Sequence, residues 1–175
     1  LTITPRQEMA RFAFTAKPTR VTFIPERLEN AGGGGLDVLL NSSQLKERCR
    51  DMCDSSIFPS IYHDPSINQV KAAHGVGTLG VEISTVAYVV AREGLGMARD
   101  EDATGRELQR IADCAKLGLH VGVSHRLTLR NIPALVRLGS IHRVNVGHEL
   151  VARAIMVGLD GAVREWMSLL SGAGP

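Results

Sequence analysis

Apolar and polar residues follow two repeating patterns that alternate along the chain. Over Leu119–Ser124 every second residue is apolar, which is the period of a half-buried strand. Over Thr104–Ala115 the apolar residues stand three and four positions apart, which is the period of a helix with one buried face. The same change of period recurs along the whole chain. It predicts repeated strand–helix units around a parallel sheet.

The pattern predicts six strands, of which the first is cut short at the start of the chain. They cover residues 1–4, 20–24, 57–62, 79–83, 119–124 and 143–146. Two helices follow the last strand, and a short extra helix in this place binds phosphate in (β/α)8 barrels. We therefore predict an α/β protein with about six of the eight units of a TIM barrel, in a single partial domain over 1–175. A doubly wound sheet is the alternative, but no glycine fingerprint follows the first strand.

Three local features are expected to shape individual elements. Pro5 stands where the first position of the first helix is predicted. Thr104 and Glu107 form a capping box at the start of the long helix. Pro59 lies inside the third predicted strand, where its missing N–H is unusual for a central strand.

Composition places the chain among globular proteins. Of its 175 residues, 44% are hydrophobic and 22% are charged, which suits one sizeable core. A net charge of +2 without a dense Lys/Arg run argues against a nucleic-acid partner. Neither a signal peptide nor an apolar run long enough to span a bilayer is recognised, so no membrane partner is expected. The chain starts at Leu1, inside a strand pattern and without an initiator Met, which suggests a piece of a longer protein.

Cysteine usage indicates a reducing compartment. The three cysteines cannot all pair with one another, and free thiols in the cytoplasm are the simplest interpretation. Cys49 and Cys53 lie one helical turn apart and could share a metal ion, but no third ligand is nearby in sequence. We therefore expect buried thiols there and no metal site.

Two predicted strands carry candidate chemistry at their carboxyl ends. His125 follows the fifth strand, and Gly147 with His148 follows the sixth. Catalytic side chains of parallel α/β folds collect at these strand ends. Histidine exchanges protons readily near neutral pH, so His125 is the natural acid–base group. We expect these three residues to share one rim of the sheet.

Other polar residues near strand ends are open to two interpretations. Glu82, near the end of the fourth strand, is either a second carboxylate of the site or a buried acid paired with a neighbouring donor. His63, beside Asp64, is a weaker candidate. His120 and His142 precede their strands and are expected to be structural, at the opposite end of the sheet.

A run of glycines in Ala31–Gly35 also has two interpretations. Its backbone N–H groups could wrap around a phosphate. A mobile lid or connector is the expected role.

A series of short motifs extends over nearly the whole chain in a specific order and spacing. They are Lys17-Pro18, Pro25-Glu26-Arg27, Gly34-Gly35-Leu36-Asp37-Val38, Gln69-Val70-Lys71-Ala72-Ala73, Val81-Glu82-Ile83, Leu117-Gly118-Leu119, His125 with Leu127-Thr128, Asn145-Val146-Gly147-His148 and Arg153-Ala154. With this series the chain resembles the pyridoxine 5′-phosphate synthases, (β/α)8 enzymes of vitamin B6 biosynthesis.

The resemblance implies a reaction and roles for several residues. The family condenses 1-deoxy-D-xylulose 5-phosphate with 3-amino-2-oxopropyl phosphate to pyridoxine 5′-phosphate, phosphate and water, without metal or organic cofactor. His125 matches the family's proton-donating histidine, and Gly147 and His148 match its substrate-binding pair. Arg126, which stands where the family has a glycine, and Glu82 are also expected to contact the phosphorylated substrates, because of their own places near strand ends and not because of the resemblance. The family resemblance also suggests a homo-oligomer.

The chain also departs from the family pattern. The family's first two βα units have no counterpart in it, and Thr2 stands where the family has a catalytic Glu on strand three. Ala31 lies near the position of a substrate-binding Thr, and Ser84-Thr85-Val86 replaces a His-Thr-Gly motif. Glu149 enters the first turn of the candidate phosphate helix, where it would repel a nearby phosphate.

Three hypotheses therefore stay open. The first is a pyridoxine 5′-phosphate synthase whose remaining quarter lies outside this sequence. The second is a diverged barrel that binds a sugar phosphate and runs another reaction. The third is a non-catalytic homologue or fragment that serves assembly or binding.

Overall fold

A computed structural model of the protein describes residues 1–26, 34–94 and 98–172. This part of the chain forms one sheet of six parallel strands. They are β1 (Thr2–Ile3), β2 (Arg20–Phe23), β3 (Phe58–His63), β4 (Gly80–Ser84), β5 (His120–Ser124) and β6 (Arg143–Asn145). All six agree with the predicted strands to within a few residues.

Eight helices connect and follow the strands in the described ranges. They are α1 (Gln7–Ala16), α2 (Ser42–Asp54), α3 (Ile67–Gly75), α4 (Val86–Glu93), α5 (Glu101–Ala115), α6 (Ile132–Val136), α7 (His148–Val157) and α8 (Leu159–Ser171). The predicted extra helix after the last strand is α7.

Strand order follows chain order from β1 to β6, and each strand pairs in parallel with the next. A doubly wound sheet would reverse its strand order at a switch point. The observed sheet has no such reversal and curls into a half-barrel with helices between its strands. This confirms the predicted barrel-like α/β fold and rules out the doubly wound alternative.

The two faces of the sheet differ in character. Residues such as Val21, Val81 and Val121 are buried among helix residues in the hydrophobic core. Their neighbours along the strands, such as Tyr62 and Glu82, lie on the other face and line a cavity. Because side chains alternate across a strand, one strand supplies both the packing and the chemistry.

Both predicted helix starts are wrong by a few residues. α1 begins at Gln7, not at Pro5. α5 begins at Glu101, three residues before the predicted capping box, because the Asp100 carboxylate accepts a hydrogen bond from the Ala103 N–H at 2.7 Å. The Asp100 side chain therefore caps the helix in the place predicted for Thr104.

Pro59 lies in a central strand, contrary to what its missing N–H suggested. It is the second residue of β3, which pairs with β2 and β4. Its carbonyl accepts hydrogen bonds from the Leu79 N–H at 3.2 Å and the Thr78 hydroxyl at 3.0 Å. The lost donor thus falls at the amino end of the strand, where the Thr78 side chain adds a hydrogen bond of its own.

The three cysteines are free. Cys49 and Cys114 are buried, and burial raises the pKa of Cys49 to about 12 and that of Cys114 to about 11. Cys53 is exposed, so the prediction of a second buried thiol there is wrong. In the described ranges no three His, Cys, Asp or Glu side chains come together in a group that could hold a metal ion.

None of the helices in the described residues combines the length and apolarity needed to cross a membrane. Most of the glycine run of 31–35 lies outside the described residues, so its role stays a prediction. Gly34 and Gly35 are described, and the Gly35 N–H donates to the Asp64 carboxylate at 3.0 Å. The end of the run therefore lies against the carboxyl end of β3.

We expect Gly35→Ala to destabilise the protein strongly. A Cβ on Gly35 would stand 2.2 Å from the Cα of His63 and 2.4 Å from the backbone N of Asp64. Backbone cannot yield as a flexible side chain can, so the free energy of unfolding should fall by about 1–3 kcal/mol. Urea unfolding followed by circular dichroism measures this loss.

Gly105→Ala is the matched control. Gly105 lies inside α5, and a Cβ there meets nothing within 4 Å. Replacing a helical glycine by alanine should raise the free energy of unfolding by roughly 0.5–1 kcal/mol. Equal stability of the Gly35→Ala variant and the unmodified protein would contradict the described close contact.

Candidate functional site

A cavity of about 650 Å³ lies at the carboxyl ends of the strands, on the polar face of the sheet. All five residues predicted for the site line it: Glu82, His125, Arg126, Gly147 and His148. The structure therefore brings together residues that are up to 66 positions apart in the sequence, from Glu82 to His148. Their roles remain predictions.

His125 stands directly after β5 in an unusual backbone conformation. Its φ is 78° and that of Arg126 is 55°, so two successive residues with side chains are left-handed. Each such residue costs on the order of 1 kcal/mol and persists only where its surroundings hold it. The turn aims the His125 side chain into the cavity.

Thr85 is the residue that holds this turn. Its N–H and its hydroxyl each lie 2.9 Å from the Ser124 carbonyl, and the hydroxyl lies 2.5 Å from the His125 carbonyl. Thr85 also precedes α4 in the N-cap position, yet its side chain makes no cap hydrogen bond. Its hydroxyl is instead committed to the neighbouring strand, which ties the end of β4 to the end of β5.

Tyr62 contacts the imidazole of His125 from β3. The ring centroids are 4.8 Å apart, with an angle of 37° between the planes. Tyr62 is buried, and burial raises the pKa of its hydroxyl, so it stays protonated at neutral pH. Sequence reasoning missed this residue. The signal was its place near a strand end, two positions after the inward-facing Ser60.

Glu82 lies in the same row of the sheet as Tyr62. It pairs with Tyr62 on one side and with Gly122 on the other. It is half-buried and makes no ion pair within the described residues. A Cβ on Gly122 would lie 3.6 Å from the Cβ of Arg143, so Arg143 borders Gly122 on the β6 side. Glu82 lines the cavity, and its role there stays a prediction.

The amino end of α7 opens into the cavity. Gly147 occupies the N-cap position, and no side chain caps this helix. Gly147 and His148 are exposed, and a Cβ on Gly147 would meet nothing within 4 Å. A helix start with free N–H groups favours an anion. Glu149, in the first turn, also lines the cavity and opposes that preference.

Asn131 organises the loop between β5 and α6. Its amide nitrogen donates to the Arg126 carbonyl at 3.0 Å and to the Glu93 carboxylate at 2.9 Å. Its amide oxygen accepts from the Thr128 N–H at 2.9 Å. Asn131 directly precedes α6, but its fully buried side chain turns back on the loop and makes no helix cap. This network fixes the backbone on which Arg126 stands.

The other histidines lie away from the cavity. His63 is fully buried at the end of β3, and its Nδ1 lies 2.7 Å from the Asp64 carbonyl. It is not among the residues lining the cavity. His120 and His142 lie with their ring centroids 4.6 Å apart at the amino ends of the strands. Their position there agrees with the predicted placement.

Comparison with known proteins identifies relatives over almost the full chain. The profile of the family described as "Pyridoxal phosphate biosynthesis protein PdxJ" matches residues 1–172. A pyridoxine 5′-phosphate synthase of Pelobacter propionicus is 38% identical over 169 residues, which cover 94% of this chain and 68% of the relative. The enzyme of the same name from Geotalea uraniireducens is 36% identical over 165 residues, which cover 93% and 67%.

Solved structures agree on the fold. A 3-hexulose-6-phosphate synthase from Salmonella typhimurium superposes with a TM-score of 0.62 at 14% identity, over 95% of this chain and 68% of that one. The citrate synthase SbnG gives a TM-score of 0.57 at 12% identity, over 99% and 73%. At these identities the likeness concerns the fold alone.

His63 should make the stability depend on pH. Burial lowers the pKa of His63 below its ordinary value, although its hydrogen bond to Asp64 opposes the shift. As the pH falls below about 6.5, His63 is protonated in the unfolded chain but stays neutral in the native protein. The free energy of unfolding should therefore be highest above that pH and fall as the pH decreases through the lowered pKa.

Urea unfolding between pH 5 and pH 8 measures this slope. His63→Asn keeps a donor for the Asp64 carbonyl but removes the titrating group, so it should flatten the slope. His74→Asn, on the exposed side of α3, is the control and should leave the slope unchanged. An unaltered slope in His63→Asn would show that another group is responsible.

Proposed function

Since the chain belongs to the PdxJ family of pyridoxal phosphate biosynthesis proteins, we propose that it is a pyridoxine 5′-phosphate synthase. The reaction would join 1-deoxy-D-xylulose 5-phosphate and 3-amino-2-oxopropyl phosphate to form pyridoxine 5′-phosphate, phosphate and water. The observation that carries the proposal is a single cavity shared by an imidazole, a carboxylate and an uncapped helix start.

His125 would act as the general acid and base of the reaction. Ring closure needs repeated proton transfers to and from oxygen and carbon, and a positioned histidine suits such steps. Its exposed ring faces the cavity and has a hydrogen-bond partner only at Nδ1 within the described residues. Nε2 is therefore the nitrogen that exchanges protons with substrate.

Glu82 would supply a carboxylate to the same cavity. Its half-buried position without an ion pair suits a group that accepts protons or orients an amine. The family resemblance places a catalytic carboxylate at Thr2, which also lines the cavity. Glu82 is thus the carboxylate on which the proposed reaction depends in this chain.

The amino end of α7 would hold a substrate phosphate. Gly147 lets the phosphate approach the backbone closely, and the N–H groups at the helix start would donate to its oxygens. Arg126 and His148 line the same cavity, where Arg126 would add positive charge and His148 a ring N–H donor. This charge offsets the opposing Glu149.

A sugar-phosphate-binding barrel with a different reaction is the second candidate. It is favoured by Thr2, because a hydroxyl in this position cannot replace a carboxylate base. In that case the phosphate site at α7 would bind both phosphorylated compounds, while the mixture would yield no pyridoxine 5′-phosphate.

The proposed reaction is tested with both phosphorylated substrates and product detection by mass spectrometry. His125→Asn should lower kcat by roughly 10²–10⁴-fold, which is the usual contribution of a general acid–base group. It should still bind pyridoxine 5′-phosphate to within about threefold, because the phosphate is held at α7. His74→Asn, far from strand ends, serves as the control for substitution of a histidine. Absence of product from the longest natural form of the protein would rule out the synthase. Binding of either phosphorylated substrate without product would then favour the second candidate, and absence of binding would favour a non-catalytic homologue.

We further propose self-association and a cytoplasmic location. The three free cysteines suit a reducing compartment. Large apolar side chains lie exposed on α7 and α8, and monomeric proteins rarely expose such patches. They are Val151, Ile155, Met156, Leu159, Val163 and Met167.

Sedimentation velocity tests the self-association. We expect a species larger than the 18.9 kDa monomer at micromolar concentration. Ile155→Glu, which places a charge on a side chain that is 80% exposed, should shift the distribution toward the monomer. A monomer at all concentrations would contradict the proposal.

A further inference from the structure

We propose that Ser124 is a positioning residue, which anchors Nδ1 of His125 so that Nε2 remains the nitrogen facing the cavity in every protonation state. The inference deepens the proposed function of His125 and rests on it for its catalytic consequence. The contact itself can be tested without the reaction.

The anchor is a single short contact at the end of β5. The Ser124 Oγ lies 3.0 Å from Nδ1 of His125. Ser124 is only 4% exposed, so this hydroxyl has few partners to choose from. Within the described residues its Oγ makes no other hydrogen bond. Among the described residues, the imidazole of His125 is therefore the partner of the Ser124 hydroxyl. A molecule bound in the cavity is the other partner that it could have.

The backbone cannot move away from this contact. The carbonyls of Ser124 and His125 are both held by Thr85, and the two left-handed residues His125 and Arg126 follow. Because the imidazole is attached to a backbone fixed on both sides, the Ser124 Oγ and Nδ1 stay within reach of each other.

The ring has few other orientations. Tyr62 lies against it with a centroid separation of 4.8 Å. A flip about χ2 would remove Nδ1 from the Ser124 hydroxyl and place a carbon there. With one face packed and Nδ1 bonded, the edge of the ring that carries Nε2 is left for the cavity.

A hydroxyl suits a nitrogen whose proton comes and goes. It donates to a bare Nδ1 and accepts from a protonated Nδ1 by rotating its own hydrogen, and because these two hydrogen bonds differ in strength the contact also shifts the balance between the two tautomers. When the imidazolium gives its Nε2 proton to a substrate oxygen, the electron pair stays on Nε2 and the Nδ1–H still donates to Ser124. When Nε2 takes a proton back, the same bond persists. A carboxylate in place of Ser124 would accept only and would favour the charged ring.

Long-range ¹H–¹⁵N correlation spectra of the whole chain test the contact. At a pH where both imidazole rings are neutral, the ratio of the two tautomers of His125 should differ from that of His74. The exposed His74 serves as an internal reference. Ser124→Ala should bring the His125 ratio to that of His74. His125→Asn assigns the signals by their loss. An identical His125 ratio before and after Ser124→Ala would overturn the proposal.

Kinetics test the consequence. Ser124→Ala should lower kcat about tenfold with KM changed less than twofold, because substrate binding is untouched while the acid–base group is misaligned. Ser124→Thr, which keeps the hydroxyl, should restore most of the activity. Ser60→Ala removes another buried serine hydroxyl on the same face of the sheet, away from His125, and should change neither kcat nor the tautomer ratio.

The two experiments separate the two proposals. A tautomer change in Ser124→Ala, with no product formed by the unmodified protein, would support the Ser124 anchor while the synthase assignment fails. An active protein in which Ser124→Ala leaves both tautomers and kcat unchanged would overturn the anchor while the synthase stands.

Discussion

The alternation of side chains across a pleated parallel sheet is the constraint on which the structure depends. The strands send most of their apolar residues toward the helices and most of their polar residues toward the concave face, with His63 of β3 as an exception. Parallel strands also end at the same edge, so the last inward-facing residues of several strands meet there. The hydrophobic effect thus fixes the site indirectly, since burial of residues such as Val81 and Val121 decides where Glu82 and Ser124 point.

Hydrogen bonds between neighbouring strand ends then fix the backbone that carries the residues of the cavity. Thr85 stands at the N-cap position of α4, but its hydroxyl does not cap the helix. It donates instead to the carbonyls of Ser124 and His125. Without such support, two successive left-handed residues with side chains would relax into a different turn. Single left-handed residues with side chains also occur at Lys17 and Ser56, but the two in succession stand where the imidazole is aimed into the cavity. Asn131 has the same function for the loop that follows.

The site combines family features with residues that are its own. His125, Gly147 and His148, for which the resemblance implies roles, lie around one cavity. Thr2 lines the same cavity and stands where the resemblance implies a carboxylate. The proposed reaction therefore depends on the carboxylate of Glu82 instead. The uncapped start of α7 attracts an anion, while Glu149 in its first turn weakens that attraction. Under the proposed function each of these differences would act on substrate binding or proton transfer, since the sheet and its core keep the barrel-like arrangement.

The sequence by itself determined the succession of strands and helices along the chain, the parallel sheet and the candidate residues His125, Glu82 and Gly147, while the spatial order of the strands was settled by the structure. Hydrophobic periodicity and position at a strand end are local properties, and they can be read from neighbouring residues. Only the tertiary structure decided that Tyr62 packs on His125, that Thr85 serves β5 and that His63 lies outside the cavity. These facts depend on register between strands and on which hydrogen-bond partner is nearer in space. The starts of α1 and α5 were predicted a few residues away from their observed positions because several residues in each stretch have side chains that can cap a helix. Which of them caps the helix is decided by backbone geometry, which the sequence does not show.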